Sequence, residues 1–311
     1  MDRISSAFEQ HPVVQRVLLW SKTHSLPGLK DIPVYHLVKF LYHEINNDEL
    51  ITRANSMAYS FFLAIFPGII FMITLLPYMP YGDNFFVTLQ ESIVEVVPGE
   101  AGKWIFETVQ DLLKNQRANL LSVGFLMTLW FSSNGMVSMM QGLSKNNPLL
   151  FRKRGFWEER ITAFRLTFLM AFILFASVVM VIFGNILLRF LFQYIDADYL
   201  TKVVFWGFRW IVLLLLFYSG ISFVYRYGVA SHKKIHFINA GATVATVLSV
   251  GASWGFSFYA DNFGTYNTVY GSIGTIIALL LWIQINCTIL LIGFELNAGI
   301  AAIKAGGAER N

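Results

Sequence analysis

The sequence predicts an all-α fold: a polytopic membrane protein built as a bundle of six transmembrane helices with both termini cytoplasmic. Short amphipathic N-terminal and external helices are expected to flank the bundle. Three observations carry this expectation. The 311 residues are 56% hydrophobic and only 14% charged, with a mean hydropathy of +0.56, whereas soluble domains carry about 25% charged residues. Six apolar runs approach or exceed the ~20 residues needed to cross a ~30 Å hydrocarbon core. The Lys and Arg residues between those runs fall unequally on alternate sides, sixteen against five, and the richer side is expected to be cytoplasmic.

Residues 1–50 precede the first run. "PVVQRVLLWSK" and "VYHLVKFLYHEI" repeat apolar residues at helical intervals, for example Leu37, Phe40, Leu41 and Ile45, and Pro27 and Pro33 separate the two segments. That pattern predicts short amphipathic helices at the inner interface. Asn46, Asn47 and Asp48 can cap the next helix by accepting bonds from its free N–H groups. Residues 51–303 form the expected transmembrane domain, with spans near 55–80, 120–142, 161–192, 203–225, 238–259 and 272–298. Pro67 in the first span lacks an N–H and clashes with the preceding turn, so a kink is expected there. The external loop 81–118 reads as two short helices broken at Pro98-Gly99. Phe86, Leu89, Ile93 and Val97 align in the first, and Ile105, Val109 and Leu112 in the second. Packing across the bundle mouth is the favoured reading, with a lid as the sharper one. The loop "YADNFGTYNTVYGS" has no Lys or Arg and reads as an aromatic interfacial belt. Residues 304–311 form a cytoplasmic tail.

The net charge of +4 and pI near 9.1 follow from the inward-facing Lys and Arg, so no nucleic-acid partner is expected. The first twenty residues lack an apolar core followed by a small-residue cleavage site, so insertion is expected to rely on an internal span. The single cysteine, Cys287, reads as a packing residue and cannot build a disulfide or thiolate cluster within the chain. Among six histidines only His232 and His236 stand four apart, in a basic loop without the HExxH pattern. No metal site and no cofactor are expected. There is no Gly-x-x-x-x-Gly-Lys-Ser/Thr loop for a nucleotide and no Gly-x-Ser-x-Gly nucleophile turn. The sequence therefore predicts no enzyme.

Polar side chains inside apolar runs are costly and tend to face a bundle interior. Asn55, Ser56, Asn134, Asn185, Arg209, Gln284, Asn286, Glu295 and Asn297 meet that description. Each alone reads most simply as interhelical packing. Together Asn55, Asn134, Gln284, Asn286, Glu295 and Asn297 suggest a polar substrate pathway among spans one, two and six. Glu295 lies 23 residues beyond Ser272, about 35 Å along a helix, so it is expected near the cytoplasmic interface. Arg53 and Arg165 border spans at the same level, and an ion pair of Glu295 with either is the default expectation. Small residues that let helices approach closely recur as Ser132, Gly135, Ser138 and Gly142, as Gly251 and Gly255, and as Gly271 and Gly274.

Three stretches, "RANSMAYSFFLAIFPGIIFMI", "LWFSSNGMVSMMQGLSK" and "FGTYNTVYGSIGTIIALLLWIQINCTILLIGFELNAGI", together resemble the YihY / virulence factor BrkB family of bacterial inner-membrane proteins. The resemblance runs from about residue 40 to 300. It is most specific at Tyr270-Gly271-Ser272, Trp282 and Gly293 to Ala298. One departure is "SKNNPLL", which lacks the aromatic that the family shows after an Asn. The resemblance implies a six-helix plasma-membrane bundle of unsettled activity. Family members were once labelled as a ribonuclease, and others are linked to serum resistance and to suppression of lipid-export defects. That implies export or flipping of a lipid-like or small amphipathic molecule, with membrane lipids as partners. A non-catalytic scaffold in an envelope complex is the alternative, and a homo-oligomer or envelope partner is left open.

Overall fold

A computed structural model of the chain describes residues 48–75, 107, 110–111, 118–144, 151–194, 199–261 and 272–308. The expected interfacial helices before residue 48, nearly all of the expected external helices and the loop at 262–271 lie outside the described residues, as do residues 309–311.

The described residues are all-helical. Six long helices follow in order: α1 (Asp48–Leu75), α2 (Ala118–Gly142), α3 (Phe156–Tyr194), α4 (Tyr199–Phe223), α5 (Ala240–Asp261) and α6 (Ser272–Ala308). No strand occurs among them, only one isolated antiparallel bridge between Phe151 and Ser231. α1, α2, α3, α4 and α6 are long and apolar enough to cross a membrane. α5 has the length but is not among them.

α3 and α6 outrun the apolar runs that predict them. α3 begins at Phe156, five residues before Ile161, and its first turn carries Glu158 and Glu159. Carboxylates there favour the positive end of the helix dipole. α6 continues ten residues past Ala298, so Glu295 lies well inside the helix rather than at its tail. Its 37 residues span about 55 Å at the standard rise, well beyond a hydrocarbon core. Pro67 is buried within α1, and the helix runs on past it to Leu75. α4 passes into one wide π-turn, Val224–Gly228, and Val229 then extends.

Packing divides the chain into two compact units. The smaller, residues 59–135, joins the later part of α1 to the earlier part of α2. Phe71 and Phe125 lie 5.4 Å apart there, and a side chain at Gly135 would strike the Phe61 ring. Its buried hydroxyls Thr74 and Ser133 donate to carbonyls of their own helices, those of Ile70 and Trp130.

The larger unit, residues 1–58 and 136–311, holds most of the buried side chains. Leu50, Ala54 and Met57 come from the start of α1, and Met139 and Leu143 from the end of α2. Ala163 and Leu166 come from the start of α3, Val224 and Tyr225 from the end of α4. Ala242 and Ala245 come from the start of α5, Leu291, Phe294 and Leu296 from the later part of α6. Odd-numbered helices contribute their beginnings and even-numbered helices their later portions. Among the described residues, the core of this unit therefore gathers where those portions of the helices meet.

Candidate functional site

Two clusters of buried polar groups also lie in this unit. Arg53, on α1, reaches two other helices. Its Nη2 donates to Glu295 Oε1 on α6 at 3.1 Å, and its Nη1 donates to the carbonyl of Gly142, the last residue of α2, at 3.0 Å. The second contact supplies a partner to a carbonyl that the helix end leaves unbonded. Glu295 is 0% exposed and Arg53 21%. Such a charged, hydrogen-bonded pair holds its partners in one geometry, because a carboxylate separated from its cation inside apolar surroundings costs several kcal/mol. Met57 and Leu291 flank Gly142 so closely that a methyl group there would strike Met57 Sδ.

A second cluster joins α4, α5 and α6. Asn239 caps α5: its side-chain oxygen accepts from the N–H of Ala242 at 2.7 Å, and its backbone carbonyl accepts from Thr243 at 3.2 Å. The same oxygen accepts from Asn297 Nδ2 on α6 at 2.7 Å, while Asn297 Oδ1 accepts from the N–H of Gly241 at 2.9 Å. Two asparagines thus satisfy the first turn of α5 and fasten it to α6. The backbones meet just beside them. A Cβ at Gly293 would lie 2.6 Å from Gly241 O and 2.5 Å from the Tyr225 hydroxyl, and one at Gly241 would run into Gly293 O. Tyr225, fully buried, donates to the carbonyl of Leu290 at 2.7 Å.

The two clusters sit on opposite sides of α6. Residues advance about 100° per step around a helix, so Gln284, Thr288, Leu291 and Glu295 share one face. Asn286, Gly293 and Asn297 share a face roughly 200° away by the same rotation. Glu295 faces α1 and α2, whereas Asn297 faces α5.

The residues expected in a pathway are therefore distributed. Glu295 is in the first cluster and Asn297 in the second. Asn286, half-buried, donates to the carbonyl of Trp282 one turn earlier at 2.9 Å, and Gln284 is half-buried. Asn55 is exposed on α1, and Asn134 is half-buried in the smaller unit, where it has a partner. Of the two arginines weighed for Glu295, Arg53 is beside it, and Arg165 is exposed on α3. Arg209 is half-buried on α4, and the Asn185 side chain lies outside the described residues. Cys287 is buried and free. No group of three or more His, Cys, Asp or Glu able to hold a metal occurs among the described residues.

Arg154, which the sequence enters only as one charge in a basic run, is the centre of a third contact. Its guanidinium donates to the carbonyls of Tyr227 at 2.7 Å and of Gly228, at the end of the π-turn, and its Nε stands 3.8 Å from Glu158 Oε1. Burial lowers the Arg154 pKa from its ordinary value, and Glu158 works in the opposite direction. Beside it, Arg152 N donates to Ala230 O at 2.8 Å, and the Arg152 side chain pairs with Glu158. The connector between α2 and α3 is thereby clasped to the connector between α4 and α5. Asn239 had a legible signal, an Asn directly before an Ala-Gly helix start. Arg154 had none, since only the fold brings carbonyls 73 to 75 residues away within its reach.

A family model described as Virulence factor BrkB matches residues 41–311. A ribonuclease-like protein, YfkH, of Bacillus subtilis is 30% identical over 266 residues, which cover 84% of this chain and 94% of that one. A UPF0761 membrane protein of Vibrio campbellii is 25% identical, covering 84% of this chain and 81% of its own. No solved structure matches.

Proposed function

Because the chain belongs to the Virulence factor BrkB family of bacterial membrane proteins, we propose that it exports or flips a lipid-like or small amphipathic molecule across the inner membrane. On this reading it has six spans, both termini are cytoplasmic, and it is not an enzyme. α5 supplies the sixth span, with Gly241 and Ala245 at its start packed on Gly293 of α6. The Lys- and Arg-rich connectors, and with them the buried clusters, then lie at the cytoplasmic end. Reporter fusions at residues 153, 233 and 311 test the orientation; a periplasmic signal from any of them is incompatible with it.

The observation that carries the transport reading is the buried Arg53–Glu295 pair, which ties α1, α2 and α6 together at one mouth of the bundle. Ionisable groups held inside membrane bundles are costly, and they mark pathways and gates. The pair is a two-position element: closed while the charges meet, and open only when Glu295 finds another cation. The experiment is a flip or export assay in proteoliposomes with fluorescent lipid analogues. Glu295→Gln and Arg53→Gln should each slow transfer at least tenfold while the protein still inserts and purifies. Transfer at the wild-type rate in both variants refutes the pathway.

A scaffold in an envelope complex is the second reading. It is favoured by Asn239, Asn297 and Arg154, whose bonds run to the chain's own backbone and side chains. It predicts a partner that co-purifies stoichiometrically and no transfer by the isolated protein. Cleavage of RNA by the pure protein would contradict both readings.

A further inference from the structure

The clasped connectors form a surface that neither cluster uses. Residues 151–165 hold five Lys and Arg against Glu158 and Glu159, and residues 224–239 hold three against no acid. The chain as a whole carries only +4, so its positive charge concentrates here. Glu158 is already engaged by Arg152 and Arg154. Lys153, Lys233 and Lys234 remain exposed around them.

The surface is held in shape. The Phe151–Ser231 bridge and the Arg152 to Ala230 bond set the two connectors side by side. Ser231 Oγ donates to Lys233 O at 2.8 Å, and Arg226 Nη1 donates to Ile235 O at 3.2 Å. The Tyr227 ring carries Arg226 at 5.9 Å and Lys234 Nζ at 5.7 Å from its centroid, within cation–π range. Its depth is set as well. The apolar span of α3 begins at Phe156 and the one through α4 and its π-turn ends at Gly228, so a bilayer crossed by both would bring its headgroups to the connectors. Phe156, Trp157 and Ile238 beside them are 69%, 74% and 83% exposed. Large apolar groups next to cations suit an interface of acyl chain and headgroup. They suit a nucleic-acid face poorly, where they would stay in water.

We propose that the clasp formed by residues 151–157 and 226–238 is a docking surface for anionic phospholipid headgroups, with Lys153, Lys233 and Lys234 meeting the phosphates and Phe156, Trp157 and Ile238 entering the acyl region. The proposal rests on the membrane assignment and not on transport, so it stands if the protein moves nothing.

Native mass spectrometry of the purified protein, equilibrated with phosphatidylglycerol, cardiolipin and phosphatidylethanolamine, tests it. The variant Lys153→Gln/Lys233→Gln/Lys234→Gln should retain the two anionic lipids about tenfold less, given the attraction each basic residue contributes near such a surface. Phosphatidylethanolamine retention should not change, and the Lys→Arg triple variant should behave as wild type. Lys103→Gln/Lys114→Gln/Arg117→Gln removes equal charge from residues 81–118 and should leave retention intact. Unchanged retention in the first variant, or equal loss in the charge-matched one, overturns the proposal. Displacement of the lipid by inorganic phosphate reassigns the site to a soluble anion and also overturns it. So does a short RNA that binds wild type but not the first variant while lipid retention is unaltered.

Discussion

Arg53 makes its two long-range bonds with one planar group, and each bond serves a different need. Toward Glu295 it neutralises a buried carboxylate; toward Gly142 it satisfies a helix-end carbonyl. Arg53→Ala removes both, and stability should fall by about 3 kcal/mol, the scale for breaking a buried pair from one side. Arg53→Ala/Glu295→Ala should lose clearly less than the two single changes summed, because no uncompensated charge remains. Thermal unfolding in detergent reads all three. Asn239→Ala should cost about 1–2 kcal/mol, since it deletes an N-cap together with the bond from Asn297. Hydrogen exchange at Gly241, Ala242 and Thr243 should rise with it. At this scale the sequence contains the level of Glu295 along its helix but not its neighbour. Arg53 and Arg165 both border spans, and only the packing of α1 against α6 separates them. Asn286 and Asn297 look alike in sequence, yet one bonds its own helix and the other a neighbouring helix, a difference set by who stands opposite.

Between helices, closeness is governed by a few glycines, and their spacing in sequence is a poor guide to which ones matter. Gly251 and Gly255 have the four-residue spacing of a packing motif, yet a Cβ at either meets nothing within 4 Å among the described residues. The intimate contact is Gly241 on Gly293, one glycine from each of two helices, a pattern no single segment can display. Gly293→Ala should destabilise by about 1–3 kcal/mol through overpacking, because backbone and a buried tyrosine both stand in the way. Gly251→Ala should be neutral or slightly stabilising, as alanine is the better helix former. Melting temperatures of the two variants side by side decide the point. Helix centres are readable from apolar runs, as are the end of α2 at Gly142 and the start of α6 at Ser272, whereas the start of α3 and the end of α6 are not. An apolar run marks what lies in lipid, and a helix continues through polar residues such as Glu158 and Glu159 for as long as its backbone bonds persist.

The all-helical membrane class follows from composition and run length, and the family follows from the final helix more than from any other segment. What composition does not reveal is that, among the described residues of the larger unit, connectors distant in sequence are fastened to each other. Arg154→Gln should loosen that fastening. Amide exchange at Tyr227 to Ser231 should accelerate at least tenfold, with α6 little affected; protection equal to wild type would show that the bridge alone suffices. The opposed faces of α6 carry a kinematic consequence. A rod gripped from two opposite sides cannot swivel toward one grip without prying at the other. Here one grip is electrostatic, at Glu295, and the other is steric, at Gly293. Any tilt of the later part of α6 therefore strains one contact or the other.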